Sequence, residues 1–296
     1  MAAPPSEIWA AYNPMFESDL LQEMFFVNTP PIGSMVRLIN WDENPFVNEV
    51  LLAEIQAAKD KPYYEHVFMG KCRGGGSLFN RESLLGDGQP VDYPSTASYL
   101  LAVIDCGLKD TQTSDGTACV FFARSLHYGH PLIVLDYFYE KMNANTLSGW
   151  LPSVFDRIYE LSAAIHNAPV ASIYIEDQAG GITLLQDAHQ HNMQGIQPYW
   201  PVQAIPGHMC SMGKKPRAFG VSGFVTKEMI KFSRYAYEKR VVFEGRHTNH
   251  LLNQVLSYQT DMKLSEVGHD DASDCFTYGI ALTLGGVDFC KKEGAI

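Results

Sequence analysis

The chain has 296 residues, 46 % hydrophobic and 19 % charged, with 22 basic and 33 acidic side chains and a formal charge of −11. This composition suits a chain that buries a core and excludes wholesale disorder, and the length suits one large or two modest domains. The acidic balance argues against a general nucleic-acid coat protein, and no run approaches the ~18 apolar residues of a membrane span.

The first residues, MAAPPSEIWAAYNP, show no basic start followed by an apolar run and do not read as a signal peptide. The six cysteines form no C-x-x-C pair, and Cys119 sits within the apolar run TACVFFA. They read as free buried thiols of a reducing compartment. Helical periodicity covers Leu20–Phe26, broken by Pro30 and Pro31, and Val47–Ala58, started by Asn44 and Pro45. Residues 70–98 turn rich in Gly, Pro and Ser (GKCRGGGSLFN, GDGQPVDYPSTAS) and read as a linker or long loop. A domain boundary is expected near residue 92, dividing 1–92, mostly helical or irregular, from 93–296.

From Ser98 the pattern becomes α/β. Tyr99–Cys106 (YLLAVIDC) reads as a strand buried on both faces, and Thr117–Ala123 and Leu132–Tyr139 as the next two, the latter pair joined by a tight turn at His127–His130. Leu147–Ala164 has helical spacing, Val170–Glu176 is a fourth strand, and Gly180–His189 a second helix. His247–Tyr258 and Asp270–Leu284 read as helices near the end. Three antiparallel strands, a helix, a further strand and then helices is the element order of a ribonuclease-H-like mixed sheet flanked by helices.

Acids fall at the ends of these elements. Asp105 closes the first strand, Glu176 and Asp177 close the fourth, and Asp270, Asp271 and Asp274 open the last helix. Each has an ordinary structural use, in turns or as a helix cap. Together they form a pattern, because ligands of open α/β sheets collect at strand ends. Converging carboxylates repel unless a cation neutralises them, and Mg²⁺ or Mn²⁺ suits an all-oxygen set. Two such ions can activate water and stabilise a leaving 3′-oxygen in phosphodiester cleavage. Neighbours on a strand point to opposite faces, so only one of Glu176 and Asp177 can share a face with Asp105. On the last helix, Asp270 with Asp274 and Asp271 with Asp274 are both neighbours, and spacing allows either pair.

At this point the residues resemble the nuclease half of phage large terminase subunits. IEDQAGG (Ile175–Gly181) is similar to that family's strand ending in acid-x-x-x-G, and HDDASDCFTYGIAL (His269–Leu282) to its closing DD-x-x-D helix. VIDCGLKDTQTSDGTA (Val103–Ala118) resembles the first strand and loop, although Asp115–Gly116 reverses the usual Gly-Asp order. GKKPRAFG (Gly213–Gly220) resembles a DK-x-x-R-A segment with Gly213 in place of its Asp. SEIWAAYNP, NWDENPF and YEHVFMGKC look like the stretch joining an ATPase domain to that nuclease. No G-x-x-x-x-G-K-[ST] loop is present, so residues 1–92 are expected to be the tail of an ATPase domain, and no ATPase activity is expected.

The resemblance implies a metal-dependent endonuclease that cuts concatemeric double-stranded viral DNA during genome packaging in the host cytoplasm. Asp105, Glu176 and Asp271 would be the main ligands of two divalent cations, Mg or Mn, with Asp270, Asp274 and Asp177 as alternates. His269 would stand behind a ligand, orienting it or shuttling a proton. The implied partners are double-stranded DNA, a portal protein and a small terminase subunit, with no membrane. Between Cys210 and Arg246, nine basic residues against three acidic ones give a net +6. Lys214, Lys215, Arg217, Lys231 and Arg234 are the expected phosphate contacts there, on a helix-like stretch. No base-reading motif is visible, so cleavage with little sequence preference is expected. His189 and His191 read as surface residues, lacking further ligands at zinc spacing. The alternative is a DNA- and portal-docking module with a vestigial metal site.

Overall fold

A computed structural model describes residues 8–12, 14, 19–60, 64–72, 78–107, 116–125, 131–178, 180–258 and 270–285. The chain forms two compact units, Met1–Ser77 and Leu78–Ile296. In the first, α1 (Leu20–Gln22) continues into a π-helical turn, and α2 (Glu49–Ala58) and α3 (Tyr64–Val67) follow. Asn48 caps α2 by accepting from the Leu51 N–H at 2.8 Å, and Ile55 and Ala58 are its buried residues. Large apolar side chains such as Ile8, Trp9, Ile32 and Phe46 remain exposed.

The second unit is built on a six-stranded sheet: β1 (Tyr99–Cys106), β2 (Thr117–Arg124), β3 (Leu132–Glu140), β4 (Val170–Ile175), β5 (Val202–Ala204) and β6 (Ile230–Phe232). The spatial order is β5-β4-β1-β2-β3-β6. β2 runs antiparallel to both β1 and β3, while β4, β5 and β6 pair in parallel. This is the ribonuclease-H-like arrangement expected from the element order. The apolar runs of β1 and β2 are buried on both faces because helices cover both. One layer contains α4 (Ala144–Ala164) and α5 (Gly180–Met193). The other contains α7 (Lys214–Thr226), α9 (His250–Leu256) and α10 (Asp271–Leu284). The short α6 (Gly207–Ser211) and α8 (Arg234–Glu238) and a hairpin of β7 (Val241–Phe243) and β8 (Arg246–Thr248) complete the unit.

Two segments differ from expectation. The Gly- and Pro-rich stretch packs against the sheet from Leu78 onward. Phe79 and Leu84 are fully buried, and the Val91 N–H donates to the Phe232 carbonyl at 3.0 Å. Its few large apolar residues, rather than its average composition, decide that placement. His247 lies in β8, and the helix starts only at His250, because Asn249 caps it by accepting from the Leu252 N–H at 2.9 Å. The expected turn at His127–His130 falls outside the described residues, apart from its flanking strands.

Candidate active site

Strand parity places the first two acids. On β1, Leu101 and Val103 face the α10 layer, while Leu100, Ala102 and Ile104 face α4. Asp105 continues the first set. On β4, Tyr174 faces the α10 layer and Ile173 and Ile175 the other, so Glu176 falls on the same side as Asp105. The Glu176 N–H donates to the Ile104 carbonyl at 3.2 Å, carrying the β1–β4 pairing one residue past the strand. Asp177 is exposed. The start of α5 abuts Glu176 so closely that a Cβ on Gly181 would lie 1.9 Å from the Glu176 carbonyl oxygen. Only glycine fits there.

The last helix brings the remaining acids. It packs tightly on β2, where a Cβ on Gly279 would meet the Phe122 ring at 2.3 Å and the Cys275 thiol reaches the Ala118 carbonyl at 3.6 Å. Ala118 pairs with Asp105 across the β1–β2 ladder, so the first turn of α10 stands beside Asp105. Asp271 and Asp274 are both buried there. The amides of the first turn find acceptors elsewhere. The N–H groups of Ala272 and Ser273 donate instead to Gln254 Oε1 of α9, at 2.9 and 3.1 Å, and that of Asp274 to the Asp270 carbonyl. Asp270, at the cap position, makes no side-chain cap bond and accepts from Lys214 Nζ at 2.7 Å.

The charges are unevenly shared. Lys214 also reaches Asp274 Oδ2 at 2.8 Å, and Arg217 donates to Asp274 Oδ1 at 2.5 Å and to Thr277 Oγ1 at 3.1 Å. The Arg217 guanidinium lies 3.7 Å over the Tyr278 ring, and the Tyr278 hydroxyl donates to Glu176 Oε1 at 3.3 Å. Asp105 has a pKa well above the usual carboxylate range. Burial is the main cause, followed by the carboxylates of Asp274, Asp271 and Glu176, with Lys214 offsetting only in part. Burial also raises Asp274, against the pull of Arg217 and Lys214. For Lys214, burial opposes the charge, but Asp274 and Asp270 outweigh it and hold the ammonium protonated.

The donor set fits a hard divalent cation, because it consists of carboxylate oxygens gathered where their charges destabilise one another. Among the described residues, no three Asp, Glu, His or Cys side chains stand close enough together to grip an ion as they are.

The basic residues divide differently from expectation. Lys231 does not offer a surface charge. It lies on β6 with its side chain 1 % exposed, donating to the Ser83 and Leu85 carbonyls and pairing with Glu228. The stretch around it is strand, short helix and hairpin, because its apolar residues alternate into the sheet. Arg217 is equally buried and turned inward to Asp274. Lys214 and Lys215 are half-buried, and Arg234 is exposed beside Asp92 at 3.4 Å. His269 lies outside the described residues. His189 is exposed, and His191 stacks on Trp200 at 3.7 Å between ring centres. Sequence reasoning missed Tyr278 and Gln254. Tyr278 was findable, since Asp271, Asp274 and Tyr278 share one helical face at i, i+3 and i+7. Gln254 carries no local signal, because only the packing of α9 on α10 brings it to the helix start.

No family model matches the sequence, and no curated protein matches it. Similar solved structures include the large terminase of a thermophilic bacteriophage, 14 % identical, with a TM-score of 0.42 over 83 % of this chain and 55 % of that one. The human cytomegalovirus terminase nuclease domain is 13 % identical, with a TM-score of 0.47 over 71 % of this chain and 98 % of that one. The large terminase nuclease of another thermophilic phage, G20c, is 15 % identical, with a TM-score of 0.38 over 71 % and 98 %. The chain spans about half the length of the first of these, the large terminase. No helix among the described residues is long and apolar enough to cross a membrane.

Proposed function

We propose that this chain is a divalent-metal-dependent endonuclease that hydrolyses phosphodiester bonds of double-stranded DNA with little sequence preference, serving viral genome packaging. One observation carries the reading: Asp105, buried at the end of β1, has three carboxylates, Glu176, Asp271 and Asp274, among its charged surroundings against the single cation Lys214. Asp105, Glu176 and Asp271 would hold the metal, since Lys214 and Arg217 already engage both oxygens of Asp274, and Lys214 engages Asp270. Two Mg²⁺ or Mn²⁺ ions bound there would neutralise the acids and supply Lewis acidity at the scissile phosphate. The chain's own groups do the positioning. Tyr278 holds the Glu176 carboxylate by its hydroxyl, and Arg217 braces Tyr278 and Asp274 from behind. Lys214, with its side chain 36 % exposed at the edge of the site, can meet a phosphate oxygen as DNA enters. Lys215 and Arg234 would add contacts of the same kind. Packaging partners, a portal protein and a small terminase subunit, belong to this proposal through the sequence motifs.

The test is degradation of plasmid DNA by the 296-residue chain in Mn²⁺ or Mg²⁺, with Mn²⁺ binding followed by calorimetry. Asp105→Ala and Asp271→Ala should each abolish both cleavage and ion binding while the chain still melts cooperatively. Full cleavage in both variants would overturn the mechanism. DNA binding without ion binding or cleavage would replace it with a docking module. No ATP hydrolysis is expected.

A further inference from the structure

Helix α10 begins with a division of labour that the acid pattern hides. Asp at a helix start ordinarily accepts from the amides of the first turn. Here both of those donors, Ala272 N–H and Ser273 N–H, go to one acceptor on a different helix, Gln254 Oε1. Gln254 thus fills from outside the role that Asp270 occupies by position. Asp270 is left to bind Lys214, and Asp271 lies buried among the charges that act on Asp105. The amide suits this task better than an acid would, since it accepts two hydrogen bonds without adding another negative charge to a crowded site.

We infer that Gln254 is a positioning residue for the carboxylates of α10: by capping the helix in trans it keeps Asp270 and Asp271 turned toward the site. The inference rests on the metal-binding reading above. Without the Gln254 acceptor, the amides of two buried residues lose their partner, and the side chain whose position ordinarily serves them is the cap residue, Asp270. A carboxylate that turns to cap the helix is withdrawn from the cluster.

The experiment is Mn²⁺ titration of the full chain by calorimetry, with the manganese spin-resonance signal as a second readout. Gln254→Leu should weaken Mn²⁺ binding about five- to tenfold, the equilibrium shift that a helix cap is worth. Gln254→Glu, whose carboxylate can accept from the same two amides, should restore binding to at least about half the wild-type affinity. If Gln254→Leu does not fold, Gln254→Met, equally long and without the acceptor, is read in its place. Wild-type Mn²⁺ affinity in a folded Leu or Met variant would overturn the inference, as would a Glu variant no better than Leu. Absence of Mn²⁺ binding by the wild-type chain would instead remove the metal reading itself, and the inference with it.

Discussion

Two buried aspartates on the same sheet have opposite surroundings. Asp136 on β3 is fully buried and sits between Arg157 Nε of α4 and Lys239 Nζ, each at 2.7 Å, with the Tyr137 N–H donating to it at 2.7 Å. Asp105 on β1 is almost as buried, but its charged surroundings are mainly Asp274, Asp271 and Glu176. Lys214, the cation that eases Asp105, spends its hydrogen bonds on Asp270 and Asp274. A buried carboxylate whose cations come from its own chain is a strut between elements. One surrounded by other carboxylates is pushed toward its neutral form unless a cation from solution joins it, and the proposed metal site is argued from that asymmetry.

Neutralising each aspartate in turn should separate the two clusters most strongly. Asp136→Asn leaves the partly buried Arg157 and Lys239 without their shared counter-charge, Arg157 keeping only the exposed Glu160, and should cost about 2–4 kcal/mol in urea denaturation. DNA cleavage per folded molecule should change less than about twofold. Asp105→Asn should do the reverse, cutting Mn²⁺-dependent cleavage by about a hundredfold or more while melting no lower than the wild type. Equal destabilisation by the two variants would erase the distinction.

Crowding the site from behind should give a smaller effect. Gly181→Ala places a methyl group against the Glu176 carbonyl, so the strand end must shift. A stability loss of about 1–3 kcal/mol is expected, together with weaker Mn²⁺ binding in the same calorimetric assay. Unchanged binding would show that Glu176 is not held where its backbone suggests.

Protonation tests the same asymmetry more gently. Burial and the neighbouring carboxylates raise the folded-state pKa of Asp105 above its ordinary 3.8. Through that window the folded chain binds more protons than the unfolded one. In a chelator-treated sample, stability should therefore fall as pH rises from about 4, with Asp274 contributing in the same direction. Asp105→Asn should flatten the profile, read as melting temperature against pH, and parallel profiles would discount Asp105 as the group responsible. The smallest effect is expected at the surface. Arg234→Ala loses only exposed pairs with Asp92 and Glu238, within about 0.5 kcal/mol, but should weaken DNA binding most visibly at low salt.

Much of this was legible in the sequence. The continuous apolar runs of β1, β2 and β3 mark a sheet covered on both faces. Alternation along β1 and β4 already required that Asp105 share its face with only one of Glu176 and Asp177. Lys231 was misleading for a physical reason. A charged side chain on a three-residue strand looks like surface until two backbone carbonyls are found to receive its ammonium. Arg217 misled similarly, since its basic charge says nothing about whether a phosphate or Asp274 will neutralise it.

Strands β1 to β4, the last helix and the acids that end or begin them could be read from the chain alone, because hydrophobic periodicity and strand alternation are local properties, whereas the three-residue strands β5 to β8 are too short to carry such a signal. Tertiary structure alone decided how the charge was divided. It put Glu176 rather than Asp177 beside Asp105, gave Asp274 to Arg217 and Lys214, and gave the cap of α10 to Gln254. Those choices depend on distances between groups dozens of residues apart, and electrostatic and hydrogen-bond energies depend on distance rather than on order along the chain.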